Sequence, residues 1–202
     1  MQKLAFMLAL FLTATAGPAT AQSEPPTIAT SKRVVVYGAR LQVSGTLPDQ
    51  PAGTPVIVAV RRHGESRFTP VFTGPSVRGN GAWRFTFKPT VSSQLQARSG
   101  ESVSRIVTVR VKPKLTLRRR GAVLFAQVVA ARSFKGRHVW FQRRSKQGRW
   151  RSLRKVLLDD PPRRFRVDLP QGESRVRVSL SRRQAGPGYE PALSRVLILR
   201  RR

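Results

Sequence analysis

Apolar and polar residues alternate with a period of two along much of the chain. Residues 83–88 and 107–111 alternate strictly, and residues 56–60 carry Val at every second position. This is the pattern of strands with one buried face. No stretch of the chain after residue 22 shows helical periodicity, and turn residues recur every eight to twelve positions. The pattern predicts an all-β chain folded as a sandwich or a barrel.

The second half of the chain repeats the first. A Gly opens a Val-containing strand that ends in paired Arg, a Gly-containing turn leads to an aromatic residue, and a Ser-Arg pair precedes the last alternating strand. The corresponding segments are 53–62 with 136–144, 85–89 with 165–170, and 104–110 with 194–200. Two copies of about seven short strands in 85 to 90 residues each predict two tandem immunoglobulin-like antiparallel β-sandwich domains.

The repeat also predicts the domain boundaries. The first domain covers 28–112 and the second covers 113–202, with a flexible lead-in at 22–27 and a stiff connector at Pro113 that restricts the angle between the domains. The second copy has a longer last loop, from Arg182 to Pro191. The residues predicted to face the two cores are Val56, Val58, Phe85, Phe87, Val107 and Val109, then Phe165, Val167, Val176, Val178, Leu197 and Leu199.

These repeated features resemble the tandem bacterial Ig-like modules of secreted actinobacterial proteins. The likeness covers nearly the whole chain after residue 21, and it rests on the Val-rich strand with paired Arg, on the strand Phe-x-Phe-Lys-Pro at 85–89, and on the Ser-Arg-x-Val-x-Val strand at 104–109. The resemblance implies an extracellular sandwich that spaces, displays or adheres. It implies no catalytic residue.

The N-terminus has the pattern of a signal peptide. Lys3 precedes an apolar run at 4–16, Gly17 and Pro18 break the run, and small residues end at Ala21. Cleavage is expected between Ala21 and Gln22. The apolar run of about thirteen residues is short for a membrane-spanning helix, which needs roughly 20. The sequence therefore predicts a signal peptide at 1–21, no transmembrane segment, and a secreted or extracytoplasmic location.

The charge of the chain is strongly positive and unevenly distributed. The whole sequence has 39 basic and 9 acidic residues. Residues 22–112 contain 13 basic and 4 acidic side chains, whereas residues 113–202 contain 25 and 5. A field of this strength attracts polyanions such as anionic glycans, wall polymers and nucleic acid. A GC-rich genome that inflates Arg content is the competing explanation, and both remain open at this point.

The sequence offers little material for catalysis or metal binding. Cys is absent, His63 and His138 are expected to be ordinary surface residues, and the acidic pair at 159–160 is expected to lie in a hairpin loop. The Ser-x-x-Lys match at 152–155 lacks its partner motifs, and no nucleophile elbow or phosphate loop occurs. We therefore predict that the protein is not an enzyme and needs no cofactor or metal.

One basic and aromatic segment is the candidate binding site. Residues 135–144 and 148–155 are expected to pair as a hairpin, and burial of Val139 and Phe141 would turn Trp140 outward beside Arg side chains. Exposed aromatic rings beside Arg can stack on bases or sugars. Packing of a Trp between the sheets is the alternative. The predicted polyanion-binding residues are Arg137, Trp140, Arg143, Arg144, Arg149, Arg151, Arg154 and Lys155.

Together these features predict a non-enzymatic exported surface or cell-envelope module. Its expected partner is an anionic polymer or envelope glycan, with a protein partner as a further option and no sequence-specific nucleic acid. Two alternatives remain: an accessory domain protein of an envelope enzyme system, and a periplasmic chaperone-like protein of two sandwiches. An exposed edge strand with basic residues in an interdomain cleft would favour the chaperone.

Overall fold

The computed structural model describes residues 24–48, 50–75, 81–162 and 164–201. The predicted signal peptide at 1–21 and its cleavage site, Ala21 and Gln22, lie outside these ranges. Thr27, the last residue of the predicted lead-in, already pairs with a strand: its backbone N–H donates to the carbonyl oxygen of Thr46 at 2.9 Å. Pairing with a strand is therefore present one residue before the predicted start of the first copy at residue 28.

The strands before Pro113 form two sheets. Their order is β1-β3-β6 in one sheet and β2-β9-β7-β4-β5 in the other, with β8 pairing β7. The strands are β1 (Ala29–Thr30), β2 (Val34–Val36), β3 (Leu41–Thr46), β4 (Pro55–Arg62), β5 (Thr69–Pro75), β6 (Ala82–Phe87), β7 (Ser93–Ser99), β8 (Ser102–Val103) and β9 (Val107–Lys112).

The strands after Pro113 form two sheets of the same design. The orders are β10-β11-β14 and β13-β12-β15-β17, with β16 also pairing β15. The elements are β10 (Lys114–Arg120), β11 (Val123–Val129), β12 (His138–Arg144), β13 (Trp150–Leu157), β14 (Arg164–Phe165), β15 (Gly172–Leu180), α1 (Arg182–Ala185), β16 (Ala192–Leu193) and β17 (Leu197–Arg201).

The strand order identifies the fold. In each half the first, second and fifth main strands form one sheet, and the remaining strands form the other, which is the arrangement of an immunoglobulin-like sandwich. The prediction of an all-β, immunoglobulin-like fold is confirmed. One pairing departs from the predicted antiparallel pattern, because β2 runs parallel to β9. The chain leaves the first sheet after β1 and joins the edge of the second, where its direction matches that of β9.

A buried serine shows how closely the two halves correspond. Ser104 Oγ accepts a hydrogen bond from the Ala97 N–H at 2.9 Å and donates to the Arg105 carbonyl at 2.8 Å. Ser194 Oγ accepts from the Val178 N–H at 3.0 Å and donates to the Arg195 carbonyl at 2.9 Å. The Ser-Arg pair that marks the repeat in the sequence therefore satisfies the same backbone groups before the last strand of each half.

The predicted core residues lie at the sheet interfaces, but not all are fully buried. Val56, Val58, Val109, Val176 and Val178 have no exposed surface. Two others, Phe165 and Leu199, are also buried, whereas the remaining five pack against the core with part of their surface exposed: Phe85, Phe87, Val107, Val167 and Leu197.

Phe85 is half-exposed because it lies near an open edge of the sandwich. Its ring stacks on the ring of Phe72, at 4.8 Å between centroids; Phe72 lies on β5, the edge strand of the facing sheet. The central aromatic of β6 is instead Trp83, which is 2 % exposed. The alternation thus identified the inward face of β6 correctly, while the depth of each position depends on how the two sheets splay apart.

The long last loop of the second half contains a helical turn that the sequence pattern did not predict. α1 is only four residues long, and its N-cap is Ser181, whose hydroxyl accepts from the Gln184 N–H at 3.3 Å. So short a segment cannot display helical periodicity, whereas a Ser cap can stabilise it. Among the described residues α1 is the one helix, and it is too short to cross a membrane.

The loop after α1 joins the two halves. The Ser92 N–H donates to the Gly188 carbonyl at 2.9 Å, and the Glu190 N–H donates to the Val111 carbonyl at 2.8 Å. The Tyr189 hydroxyl donates to the Thr90 carbonyl at 3.0 Å and accepts from Ala131 N–H at 3.1 Å. We call residues 186–190 the docking loop.

Close approach requires Gly at position 188 of the docking loop. Gly188 has φ +78°, and a Cβ atom there would lie 2.5 Å from a Val91 methyl carbon. Any other residue would be strained by this conformation and would push the two halves apart. Pro113, in the connector between the halves, is buried. The connector and the docking loop therefore both hold the two halves together.

Candidate polyanion-binding face

The predicted basic hairpin is present. β12 and β13 pair antiparallel, with Trp140 opposite Lys155 and Arg143 opposite Arg151. Val139 and Phe141 have no exposed surface. Because neighbouring side chains on a strand point to opposite faces, Trp140 and Gln142 lie on the outward face of this sheet.

Each Trp on this outward face has a cation over its ring. The Lys155 ammonium lies 5.3 Å from the Trp140 ring centroid. The Arg177 guanidinium lies 4.0 Å from the Trp150 ring centroid. Both rings are half-buried rather than enclosed between the sheets. The alternative of a Trp packed in the core is therefore wrong for both residues.

Arg177 on β15 also bonds to β12, and the sequence analysis did not single it out. Its Nε–H donates to Gln142 Oε1 at 2.9 Å, and Gln142 Nε2 in turn lies 3.2 Å from Ser152 Oγ. Partial burial lowers the pKa of Arg177 from its ordinary value. We call Trp140, Gln142, Trp150, Lys155 and Arg177 the basic–aromatic face.

The register between β12 and β15 explains why Arg177 escaped notice. Gln142 is opposite Arg177 and Phe141 is opposite Val178, although 35 residues of chain separate Gln142 from Arg177. The alternation around Val176 and Val178 predicts that residue 177 points outward. Only the long-range register places it beside the hairpin.

Four other predicted residues lie outside this face. Arg144 Nε donates to the Gly148 carbonyl at 3.1 Å, which ties the side chain to its own turn. Arg143 and Arg151 are cross-strand neighbours, and they point to the side of the sheet opposite to that of Gln142 and Ser152. Arg149 is exposed in the turn. These four cations cluster at one end of the hairpin.

Two predicted residues are engaged elsewhere. Arg154 donates through Nη1 to the Arg166 carbonyl at 2.9 Å, across the edge of the sandwich. Arg137 lies at the other end of β12, where it donates to the Gln184 carbonyl at 2.6 Å and sits over the Phe134 ring at 5.7 Å. The structure thus brings Trp140 and Lys155 together, whereas the Arg137 side chain is engaged with α1 and Phe134.

The first half provides an internal comparison for this face. In both sheets the third main strand pairs with the sixth, so that Ile57 is opposite Arg98 and Ala59 is opposite Gln96. The equivalent pairs in the second half are Trp140 with Ser179 and Gln142 with Arg177. The counterparts of Trp140 and Arg177 are therefore Ile57 and Gln96, which carry neither an indole nor a charge.

Acidic side chains do little to offset the charge around the face. None of its five residues is acidic, and the acid on the adjoining part of β15, Glu173, contacts Arg175 at 3.5 Å and Arg200 at 3.6 Å. Within the described ranges no group of three His, Asp or Glu residues could hold a metal ion. The arrangement is suited to binding anions by charge, hydrogen bonding and stacking.

No protein-family model matches the chain, and no curated protein matches it. The chain is similar to native Escherichia coli alpha-2-macroglobulin at 14% identity and TM-score 0.35, with 91% of this chain and 14% of that chain covered. It is similar to the FN1-FN3 domains of chicken CNTN1 at 13% identity and TM-score 0.27, covering 89% and 70%.

A third similar structure is the NIE-MG1 region of Escherichia coli alpha-2-macroglobulin, at 12% identity and TM-score 0.25, with 75% of this chain and 92% of that chain covered. The chain thus spans a small part of the first of these structures. All three TM-scores are below 0.5, so the fold assignment rests on the strand order and on the repeated serine contacts described above.

Proposed function

We propose that this protein is an exported, non-enzymatic binding module whose second half holds anionic polymers on the basic–aromatic face. The observation that carries the proposal is the pair of outward Trp rings, each with a cation over it, together with the hydrogen bond that Arg177, the cation over Trp150, donates to Gln142. The equivalent face of the first half has Ile57 and Gln96 at the matching positions.

The chemistry of the face suits a polymer with repeated negative charges. Arg and Lys hold phosphate, sulfate or carboxylate groups by charge-assisted hydrogen bonds. An indole ring adds a flat surface on which a sugar or a base can stack. The cations on β12, β13 and β15 are spread across neighbouring strands, which lie roughly 4.8 Å apart. Several charges of one flexible polymer can therefore contact the sheet together.

The charge distribution supports the second half as the binding half. Residues 113–202 carry 25 basic and 5 acidic side chains, against 13 and 4 in residues 22–112. Two copies of one fold under the same codon bias should be similarly enriched in Arg. The excess therefore favours a function for the charge, because a concentrated positive field speeds the encounter with polyanions.

The proposed location and domain organisation follow from the sequence pattern. Cleavage after Ala21 would release a chain from Gln22 to Arg202 outside the cytoplasm, where wall polymers and anionic glycans are available. We further propose that residues 28–112 and 113–202 are the two domains. Each of the sheets found in the described ranges takes its strands from one side of Pro113, which supports that boundary.

A binding titration with two matched substitutions tests the proposal. Purified Gln22–Arg202 is titrated with a teichoic-type polymer, a sulfated glycan and single-stranded DNA. We expect Trp140→Ala and Arg177→Gln to weaken binding, the former by about 5- to 100-fold, because one stacked ring is worth about 1–3 kcal/mol.

The control is Arg98→Gln, which removes the same charge from the equivalent sheet of the first half. Arg98 lies opposite Ile57, the counterpart of Trp140. We expect this control to weaken binding less than twofold. An equal loss in Arg98→Gln and Arg177→Gln would show that the charge acts only in bulk and would contradict a site on this face.

A further inference from the structure

A cavity lies at the far end of the second half, away from the docking loop. It has a volume of about 890 Å³ and opens between the two sheets. Its walls come from the β10–β11 turn, from the segment after β14 and from the end of β17. A volume of roughly 300–1,000 Å³ is typical of small-molecule sites. We call it the terminal cavity.

The cavity lies where the second copy leaves its sheet earlier than the first. Among the described residues β14 pairs with β11 at two positions, Leu124 with Phe165 and Phe125 with Arg164. Residues 166–170 then continue without strand pairing. In the first half β6 stays paired with β3 as far as Phe87 and Leu41. No strand therefore covers the space beyond Phe165, and the cavity opens there.

The floor of the terminal cavity is aliphatic. Leu124, Leu169 and Leu199 line it and are each less than a tenth exposed, and Val167 packs beside them. No aromatic ring is among the lining residues. Water in contact with such a surface is readily displaced by an apolar group, and nothing in the floor would orient a flat polar ring. The floor therefore fits an alkyl chain.

The rim of the cavity is cationic. It is formed by Arg119, Arg166, Arg200 and Arg201, against the single carboxylate of Asp168. Arg201 is partly neutralised, because Nη1 lies 3.0 Å from Asp168 Oδ1, and the Asp168 side chain is 98% exposed.

Two rim cations remain available to a ligand. Arg119 and Arg166 make no ion pair within the described part of the chain, and Arg119 uses only its Nε–H, which donates to the Gly121 carbonyl at 2.6 Å. Their guanidinium groups can each present two parallel N–H donors to a carboxylate. The charge of the rim is thus complementary to an anionic head group.

We propose that the terminal cavity binds a single long-chain alkyl carboxylate, with the chain on the leucine floor and the carboxylate at the Arg119–Arg166 side of the rim. This site is separate from the basic–aromatic face, which lies on the outward side of the sheet formed by β13, β12, β15 and β17. Binding of a lipid anion and binding of a polymer can therefore be tested independently.

The experiment titrates purified Gln22–Arg202 with octanoate, decanoate and dodecanoate below their micelle concentrations, using calorimetry. Dodecanol and dodecyltrimethylammonium serve as neutral and cationic ligands of equal chain length. We expect one site per protein and an affinity that rises about fourfold for each methylene, or about 250-fold from octanoate to dodecanoate. The alcohol should bind at least tenfold more weakly, and the cation should not bind.

Two variants locate the site. Ala122→Trp places a ring at the mouth of the cavity on an exposed turn, so the core is untouched, and it should abolish dodecanoate binding. Arg166→Gln should weaken the carboxylate at least fivefold and leave the alcohol unchanged. Arg105→Gln, an exposed cation of the first half, is the control and should have no effect.

Several results would overturn the proposal. Affinity that does not depend on chain length would exclude the leucine floor as the binding surface. Equal binding of the alkyl ammonium would exclude recognition of the head group by the rim. Full binding by Ala122→Trp would place the ligand elsewhere on this basic protein. Loss of polymer binding with intact dodecanoate binding would instead concern the basic–aromatic face alone.

Discussion

Replacing Tyr189 with Phe should loosen the junction between the two halves without disturbing the core. The hydroxyl joins three parts of the chain, because it donates to the Thr90 carbonyl at 3.0 Å and accepts from the Ala131 N–H at 3.1 Å. The ring packs edge-on against Phe134 at 5.9 Å between centroids, and Tyr189→Phe preserves this contact. The substitution therefore removes two hydrogen bonds and little else.

The expected cost follows from those two hydrogen bonds. Each contributes about 0.5–1.5 kcal/mol net, so the free energy of unfolding should fall by about 1–3 kcal/mol. Thr90 and Ala131 are exposed residues, so water can reach the groups left behind and the full penalty of a buried unpaired group does not apply. For a chain of this size, a loss of 2 kcal/mol corresponds to a Tm lower by about 4–8 °C.

Urea unfolding measures the loss of stability, and amide hydrogen exchange locates it. The Ser92 and Glu190 N–H groups bond across the same junction, so their exchange should accelerate about tenfold in Tyr189→Phe. The exchange rates of amides in the centre of either half should rise by no more than the measured loss in the free energy of unfolding accounts for.

Tyr37→Phe is the matched control, because it removes the other tyrosine hydroxyl of the chain. The backbone N–H of residue 37 donates to the Lys112 carbonyl at 2.8 Å, and Tyr37→Phe retains this hydrogen bond. We expect a cost under about 0.5 kcal/mol. Wild-type stability and exchange in Tyr189→Phe, or an equal effect in the control, would refute the role given to the docking loop.

Three further predictions concern stability. Phe141→Ala should lower the free energy of unfolding by about 3–5 kcal/mol in a urea titration, because this ring has no exposed surface; a loss below 1 kcal/mol would contradict its place in the core. Ser104→Ala and Ser194→Ala should each cost about 1–3 kcal/mol, and a large difference between them would argue against equivalent roles. Burial raises the pKa of Tyr189 above its ordinary value of 10.0, opposed by the Ala131 hydrogen bond and the Arg132 charge. The unfolded chain therefore loses this proton first, and stability should fall as the pH rises above 10. In unfolding titrations on both sides of pH 10, Tyr189→Phe should lack this part of the fall, whereas a parallel fall in both proteins would contradict it.

The fold was largely predictable because its information is local and repeated. Alternation at 83–88 and 107–111 identified strands and their inward faces, and the recurrence of the Ser-Arg pair indicated that both halves share one fold. Strand ends were harder to predict. The segment at 165–170 alternates like its counterpart in the first half, yet only Arg164–Phe165 forms a strand.

The candidate sites were only partly predictable, because they depend on contacts between distant segments. The pairing of Trp140 with Lys155 follows from a local hairpin, whereas the approach of Arg177 to Trp150 requires the register of a third strand. The docking loop is similar: a Gly-containing loop gives no sequence signal for the surface it contacts. The terminal cavity depends on the early end of β14 at Phe165, which alternation alone does not reveal.

The salt dependence of polymer binding tests the central claim most directly. Neutralising Z anionic groups releases counterions, so the logarithm of the affinity should fall with the logarithm of salt concentration at a slope of about −0.7Z to −0.9Z for a nucleic-acid-like polymer. The slope is measured for Gln22–Arg202 and for a variant with Lys155 and Arg177, the two cations of the basic–aromatic face, changed to Gln. We predict a steep slope for the first protein and a clearly flatter slope for the folded variant. Equal slopes, or an affinity indifferent to salt, would contradict polymer binding by the second half.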